Sequence, residues 1–197
     1  MIDSKEKLKY YLECDRIALG IKKKRPSFII RGAQQEIWRF EIILRKLEYC
    51  TNCHKNLVIK SVYRFLFSRA SIALGFTIPI NVFGPGLSIA HIGTIVINSN
   101  SRVGKNCRIQ TGVTLGSTNG SGKSPKVGDN VFLGDGCKLI GDISIADNVC
   151  IGANAVVIKS IDEPSTTWGG VPARLISQSG SGLNVIKATE LYKETLK

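Results

Sequence analysis

An aliphatic residue returns every six positions through the middle of this chain. It occupies Ile97, Val103, Ile109 and Leu115, misses one beat at Ser121, and resumes at Val127, Leu133, Leu139, Ile145, Ile151 and Val157. Glycine often follows it, as at Gly104, Gly116, Gly128, Gly134 and Gly152. The position four residues on is small or aliphatic: Cys107, Val113, Val131, Cys137, Ile143, Val149 and Ala155. A period of six matches neither the helix repeat nor simple strand alternation. It suits a coil with one short strand and one sharp corner per hexad, three hexads closing a triangular turn. That is a parallel β-helix. Counting back from Ile97 lands on His91, Pro85 and Pro79, which read as degenerate first coils.

Before the repeat the texture is helical. Asp3 with Glu6 forms a capping pattern for a first helix whose apolar side is Leu8, Tyr11 and Leu12. Arg25-Pro26 and Gly32 mark a loop. Ile37, Phe40, Ile43, Leu44 and Leu47 lie at helical spacing, and a third helix is expected over Val58 to Leu74, stopped by Gly75. After the repeat, Pro164 to Ala173 reads as a loop leaving the coil, and Ser177 to Gly182 as a hinge before a charged tail. The expected organisation is therefore 1–75 α-helical, 76–163 parallel β-helix and 164–197 C-terminal loop and tail.

The net charge of +12 is uneven: residues 1–70 hold 16 Lys and Arg against 7 Asp and Glu. Such a surface suits an anionic glycan or peripheral contact with a membrane surface, or is simply a solvated helical face. The Lys22–Arg25 run is too short for a binding arm, and no nucleic-acid motif occurs, so no nucleic acid is expected. The first twenty residues carry charge throughout and lack the apolar core of an export signal. Arg64 and Arg69 interrupt the most apolar stretch. The chain reads as cytoplasmic, and its 6 cysteines as free thiols. Cys50-Thr51-Asn52-Cys53-His54 matches the C-x-x-C-H pattern of haem attachment, but without export and without four tetrahedral ligands neither haem nor zinc is expected.

Three motifs narrow the repeat. His91-Ile92-Gly93-Thr94-Ile95-Val96, Gln110-Thr111-Gly112-Val113-Thr114-Leu115-Gly116 and Gly169-Gly170-Val171-Pro172-Ala173-Arg174, with a polar loop ending in Pro125-Lys126, resemble the serine acetyltransferase branch of the hexapeptide-repeat acyltransferases. The resemblance spans residues 75–176. It implies a left-handed coil, a homotrimer, and acetyl-CoA as acyl donor in a groove between coils, with no metal. By the same resemblance His91 is the catalytic base. Gly116, Ser117, Gly134, Asp135, Ala153, Pro172, Ala173 and Arg174 line the cofactor groove, and Lys123 and Ser124 meet the acceptor. Histidine suits such chemistry because its pKa lies near operating pH. His91 is also one of only 2 histidines, at a beat where an aliphatic residue is expected.

The departures from that branch bear on the acceptor. Phe76 stands where an acid would orient the histidine, Ala90 where an acid would hold serine's ammonium, and Ser124 where a second histidine would lie. No Asp or Glu occurs between residues 49 and 128. A zwitterionic acceptor usually meets a carboxylate. A sugar hydroxyl of a capsule, O-antigen or exopolysaccharide precursor, free or lipid-linked, is therefore the acceptor this reading expects, as in the surface-polysaccharide O-acetyltransferases. Serine O-acetylation and a non-catalytic β-helical scaffold are the alternatives. A γ-class carbonic anhydrase would need three histidines for zinc.

Overall fold

The computed structural model describes residues 1–22, 26, 32–118, 120 and 122–195. Lys23, Lys24 and Arg25 of the basic run, and Ser121 at the missing beat, lie outside the described residues.

Three helices precede the repeat: α1 (Lys5–Ala18), α2 (Ala33–Asn52) and α3 (Leu57–Leu74). Ser4, not Asp3, caps α1, because its Oγ accepts from the Lys7 N–H at 3.1 Å; Asp3 instead pairs with Lys7 Nζ at 2.7 Å. Helix α2 buries Ile37, Phe40, Leu44 and Leu47, the stripe its spacing predicts. Asn56 caps α3 through the Val58 N–H, and Gly75 ends it with φ +75, a conformation glycine adopts without a Cβ penalty. Helix α3 turns Leu57, Val58, Phe65 and Ile72 outward and buries only Leu74 among its residues. Among the described residues no helix is long and apolar enough to cross a membrane.

From Phe76 onward the chain visits three parallel sheets in rotation. Sheet one contains β1 (Phe76–Thr77), β3 (Ile95–Ile97), β6 (Thr114–Gly116), β9 (Lys138–Ile140) and β12 (Val156–Val157). Sheet two contains β4 (Arg102–Val103), β7 (Lys126–Val127) and β10 (Ser144–Ile145). Sheet three contains β2 (Ser88–Ile89), β5 (Arg108–Ile109), β8 (Phe132–Leu133), β11 (Cys150–Ile151) and β13 (Thr167–Gly169), with β14 (Arg174–Ser177) antiparallel at its edge. This is the three-sided arrangement expected of hexads. The aliphatic beats and the residues four positions on both point inward: Ile109, Leu115, Val131, Leu133, Cys137, Leu139, Val149, Ile151 and Ala155 are all excluded from solvent.

The register explains both irregularities of the beat. Val96 pairs with Thr114 and Lys138 with Val156, a regular turn of three hexads. Thr114 pairs with Lys138 and Arg102 with Lys126, one whole hexad longer. The missing beat therefore coincides with one extra hexad of sequence between β6 and β7. The second irregularity corrects the early phase. Ile89, not His91, pairs with Ile109 and fills the interior. Two extra residues in the corner between β2 and β3 displace the count, so His91 lies on that corner and faces solvent instead of replacing an inward aliphatic residue.

The helices close the open edge of the first coil with buried polar side chains. Asp15 accepts from the N–H groups of Gly86 and Leu87 at 2.8 and 2.9 Å. Arg45 donates to the carbonyls of Phe83 and Gly84 at 2.9 and 2.7 Å and pairs with Asp15 and Glu48. Glu48 accepts from the Asn81 N–H at 2.7 Å, and Glu41 from the Ile89 N–H at 3.4 Å. These backbone groups have no further coil to pair with, so the side chains supply the ladder's missing partners.

Another corner carries a ladder of asparagines. Asn106, Asn130 and Asn148 all take positive φ, which asparagine tolerates better than most residues. Asn106 Nδ2 donates to Asn130 Oδ1 at 2.8 Å, and Asn130 Nδ2 to Asn148 Oδ1 at 3.0 Å. The C-terminal segment descends beside them. The Ser181 N–H donates to the Asn148 carbonyl at 2.9 Å, the Thr189 N–H to Asn106 Oδ1 at 3.0 Å, and helix α4 (Ala188–Glu194) sets Tyr192 5.2 Å from Tyr10 of α1.

Candidate active site

Stacking of the coils decides which predicted residues meet. Ile89, Ile109, Leu133 and Ile151 lie in register in sheet three. The residues two positions on from each, His91, Thr111, Asp135 and Ala153, therefore line one corner. At a coil spacing of roughly 4.8 Å, Asp135 lies about 10 Å along the corner from His91. His91, Asp135 and Ala153 are exposed, while Gly134 is buried beneath them. Thr111 Oγ1 donates to Asp135 Oδ1. Thr111 was not among the expected site residues; its place in the Gln110–Gly116 motif was the available signal.

The backbone on both sides fixes the His91 corner. The Ala90 N–H donates to the Ile109 carbonyl at 3.0 Å, and the Gly93 N–H to the Leu74 carbonyl at the end of α3 at 3.2 Å. A Cβ on Gly93 would approach Thr111 Cγ2 to 3.0 Å, so glycine lets the corner lie flat on the next coil. No described residue hydrogen-bonds or ion-pairs with the His91 ring, which leaves its nitrogens open to a ligand. Phe76, where the resemblance expects an acid, points into the core and packs edge-on against Phe40 with centroids 5.0 Å apart.

The remaining expected residues occupy other places. Gly116 and Ser117 lie across sheet one, on its corner with sheet two, where Asn98 Nδ2 donates to Ser117 Oγ at 3.2 Å. The inserted hexad ends beside them at Lys123 and Ser124. Lys123 Nζ pairs with Asp142 at 3.1 Å. Ser124 is buried, and its Oγ has no hydrogen-bond partner among the described residues. Pro172 and Ala173 lie in the turn between β13 and β14, tied to β12 by the Ala173 N–H donating to the Val156 carbonyl at 2.8 Å, and Arg174 opens β14 opposite Gly169. Within one chain, the structure joins His91 to Gly134, Asp135 and Ala153 and separates them from Gly116, Ser117, Lys123 and Ser124.

Gly134 has a structural role whatever it binds. A Cβ there would lie 2.6 Å from the Ile151 carbonyl oxygen and 2.8 Å from the Ala153 nitrogen. These are backbone atoms of the next coil and cannot rotate away. Gly134→Ala is expected to destabilise the protein by about 1–3 kcal/mol, the usual cost of overpacking, measured as a lower urea midpoint.

The haem-like pattern does not gather. Cys50 is buried in α2, Cys53 lies at that helix's C-cap, and His54 is exposed. Burial pushes the Cys50 thiol up, away from the thiolate a metal requires. Among the described residues no cluster of three or more metal-ligating side chains occurs.

Comparison with known proteins fits this geometry. The family described as "Bacterial transferase hexapeptide (six repeats)" matches residues 124–159. Serine acetyltransferase of Mycobacterium tuberculosis is 42% identical over 100 residues, covering 50% of this chain and 43% of that protein. The Haemophilus influenzae enzyme is 36% identical over 122 residues, covering 60% of this chain and 45% of that protein. The chain thus spans less than half the length of these curated relatives. Serine acetyltransferase of Brucella abortus, solved in complex with coenzyme A, superposes with a TM-score of 0.70 at 27% identity, covering 89% of this chain and 70% of that one. A serine acetyltransferase solved in complex with cysteine gives 0.68 at 26% identity, covering 95% and 71%.

These likenesses overturn the expected sugar acceptor: the relatives and solved structures named above are serine acetyltransferases. The expectation rested on counting acids along the chain, whereas the coil brings Asp135 to the corner that carries His91. By its repeat, its three-sided coil and these likenesses, the chain's β-helical region resembles that of the hexapeptide-repeat bacterial transferases.

Proposed function

We propose that this protein is an acetyl-CoA-dependent serine O-acetyltransferase with His91 as its general base. The observation that carries the reading is the corner itself. It presents an exposed imidazole with unengaged nitrogens, in a coil similar to serine acetyltransferases of known structure. His91 would take the proton from the serine hydroxyl as its oxygen attacks the thioester carbonyl carbon. The C–S bond then breaks, and the imidazolium returns the proton to the departing thiolate, giving O-acetylserine and coenzyme A. Backbone N–H groups near the corner would hold the oxyanion. Asp135, oriented by Thr111, supplies negative charge on the same corner for a substrate bearing an ammonium group.

The same reading includes a left-handed coil and a homotrimer. The split of the expected residues between two corners supports the trimer: a neighbouring copy that sets its Gly116–Ser117 corner against the His91 corner would complete the groove for acetyl-CoA. Pro172, Ala173 and Arg174 would close over the nucleotide end.

The full chain, mixed with acetyl-CoA and L-serine, is expected to consume the thioester, followed by the loss of its ultraviolet absorbance, and to form O-acetylserine detectable by mass spectrometry. Thioester loss that does not depend on serine would overturn the assignment.

A further inference from the structure

Buried charge is costly, yet α1 and α2 bury Asp15, Glu41, Arg45 and Glu48 against a single coil edge. Each is spent on backbone. Following the edge toward His91, the bonds run from Asn81 through Phe83, Gly84, Gly86 and Leu87 to Ile89. The last is made by Glu41 Oε1, and Ile89 stands two residues before His91. On the far side of the corner, the Gly93 N–H is held by the last carbonyl of α3. The helices thus grip the His91 corner at both ends.

Glu41 is the member of this group whose burial packing alone does not explain. Its neighbours on the stripe are Ile37, Phe40 and Leu44, and a leucine would fill the same space. Its Oε2 is buried without a hydrogen-bond partner among the described residues. Burial, and then the nearby Asp15, push its carboxyl well above the usual carboxylate range. A neutral carboxyl still accepts the Ile89 N–H through its carbonyl oxygen. Phe76, buried against Phe40, cannot reach the ring.

We infer that Glu41 is a positioning residue for His91: it fixes the backbone from which the corner departs, and so the direction of the imidazole, where no acid touches the ring. This rests on the role given above to His91.

Glu41→Leu removes the acceptor at similar volume, Glu41→Gln keeps one, and Glu41→Asp withdraws it by one methylene. The leucine and aspartate variants are expected to lose about tenfold to a hundredfold in kcat with KM for acetyl-CoA unchanged, as small misplacements of a reacting group do, while the glutamine variant keeps wild-type kcat. Having 2 histidines makes the ring directly visible. In histidine-labelled full-length protein, the His91 ring signals should shift in Glu41→Leu and Glu41→Asp and stay in place in Glu41→Gln, with His54 unmoved in all three. Wild-type kcat in the leucine and aspartate variants, or unmoved His91 signals, would overturn the inference. His91→Ala run alongside separates the two ideas: full activity in that variant would defeat the catalytic reading, while the ring signals would still decide the positioning. Should the leucine variant fail to fold, the aspartate variant carries the same comparison.

Discussion

His91→Ala is expected to lower kcat for serine acetylation by about a hundredfold to ten-thousandfold, the range that one positioned acid–base group contributes. The fold should be untouched. The ring is exposed and bonded to no described residue, so its removal opens no cavity and strands no partner. The measurement is serine-dependent thioester loss, with circular dichroism and thermal melting as the control on structure. His54→Ala is the matched comparison, because that exposed residue at the end of α2 lies outside the site and should leave turnover unchanged. Activity within a few-fold of wild type in His91→Ala would place the chemistry elsewhere, whereas no serine-dependent turnover in the wild-type protein itself would favour the non-catalytic scaffold.

Arg45→Met should be the most damaging single change to stability. Arg45 is fully buried, and it neutralises Asp15 at 2.7 Å and Glu48 at 3.0 Å while donating to two carbonyls of the first coil. Methionine fills much of the volume but leaves two carboxylates facing each other in the interior and two carbonyls without donors. Breaking a buried pair in this way costs about 3–5 kcal/mol, against total stabilities of about 5–15 kcal/mol. The expected result is a large fall in urea midpoint, read by tryptophan fluorescence. A second variant removing both carboxylates with the arginine, Asp15→Leu and Glu48→Leu added to Arg45→Met, should recover part of the loss, because no buried charge then stands alone. A fall of less than about 1 kcal/mol in Arg45→Met would show that water reaches the cluster.

What could be read in the chain followed from how far each interaction reaches along it. The hexad announced the interior because each inward residue, from Ile97 to Val157, repeats a local pattern. Helix α3 and its stop at Gly75 were legible for the same reason. The phase before Ile97 was not. The corner holding His91 is two residues longer than its successors, and a corner bears no aliphatic marker from which its length can be counted. Nor were the carboxylates. Asp135 reaches the His91 corner across two coils, and Glu41 reaches Ile89 from 48 residues away. A linear search around His91 finds Ala90 and Phe76 and reports a site without acids. That absence along the chain led to a sugar in place of serine.

The C-terminal segment bears on how the molecule comes apart. Stacked repeats with contacts only between neighbours tend to unravel from an end, one rung at a time. Here the chain leaves the last rungs, runs back along the asparagine corner, and fastens at Asn106 and Tyr10. The end of the array is thereby buckled to its beginning. Peeling the final rung requires releasing a strap anchored at the opposite pole, so fraying is penalised at both poles together. The coil should therefore melt in one cooperative step, with the tail acting as a latch.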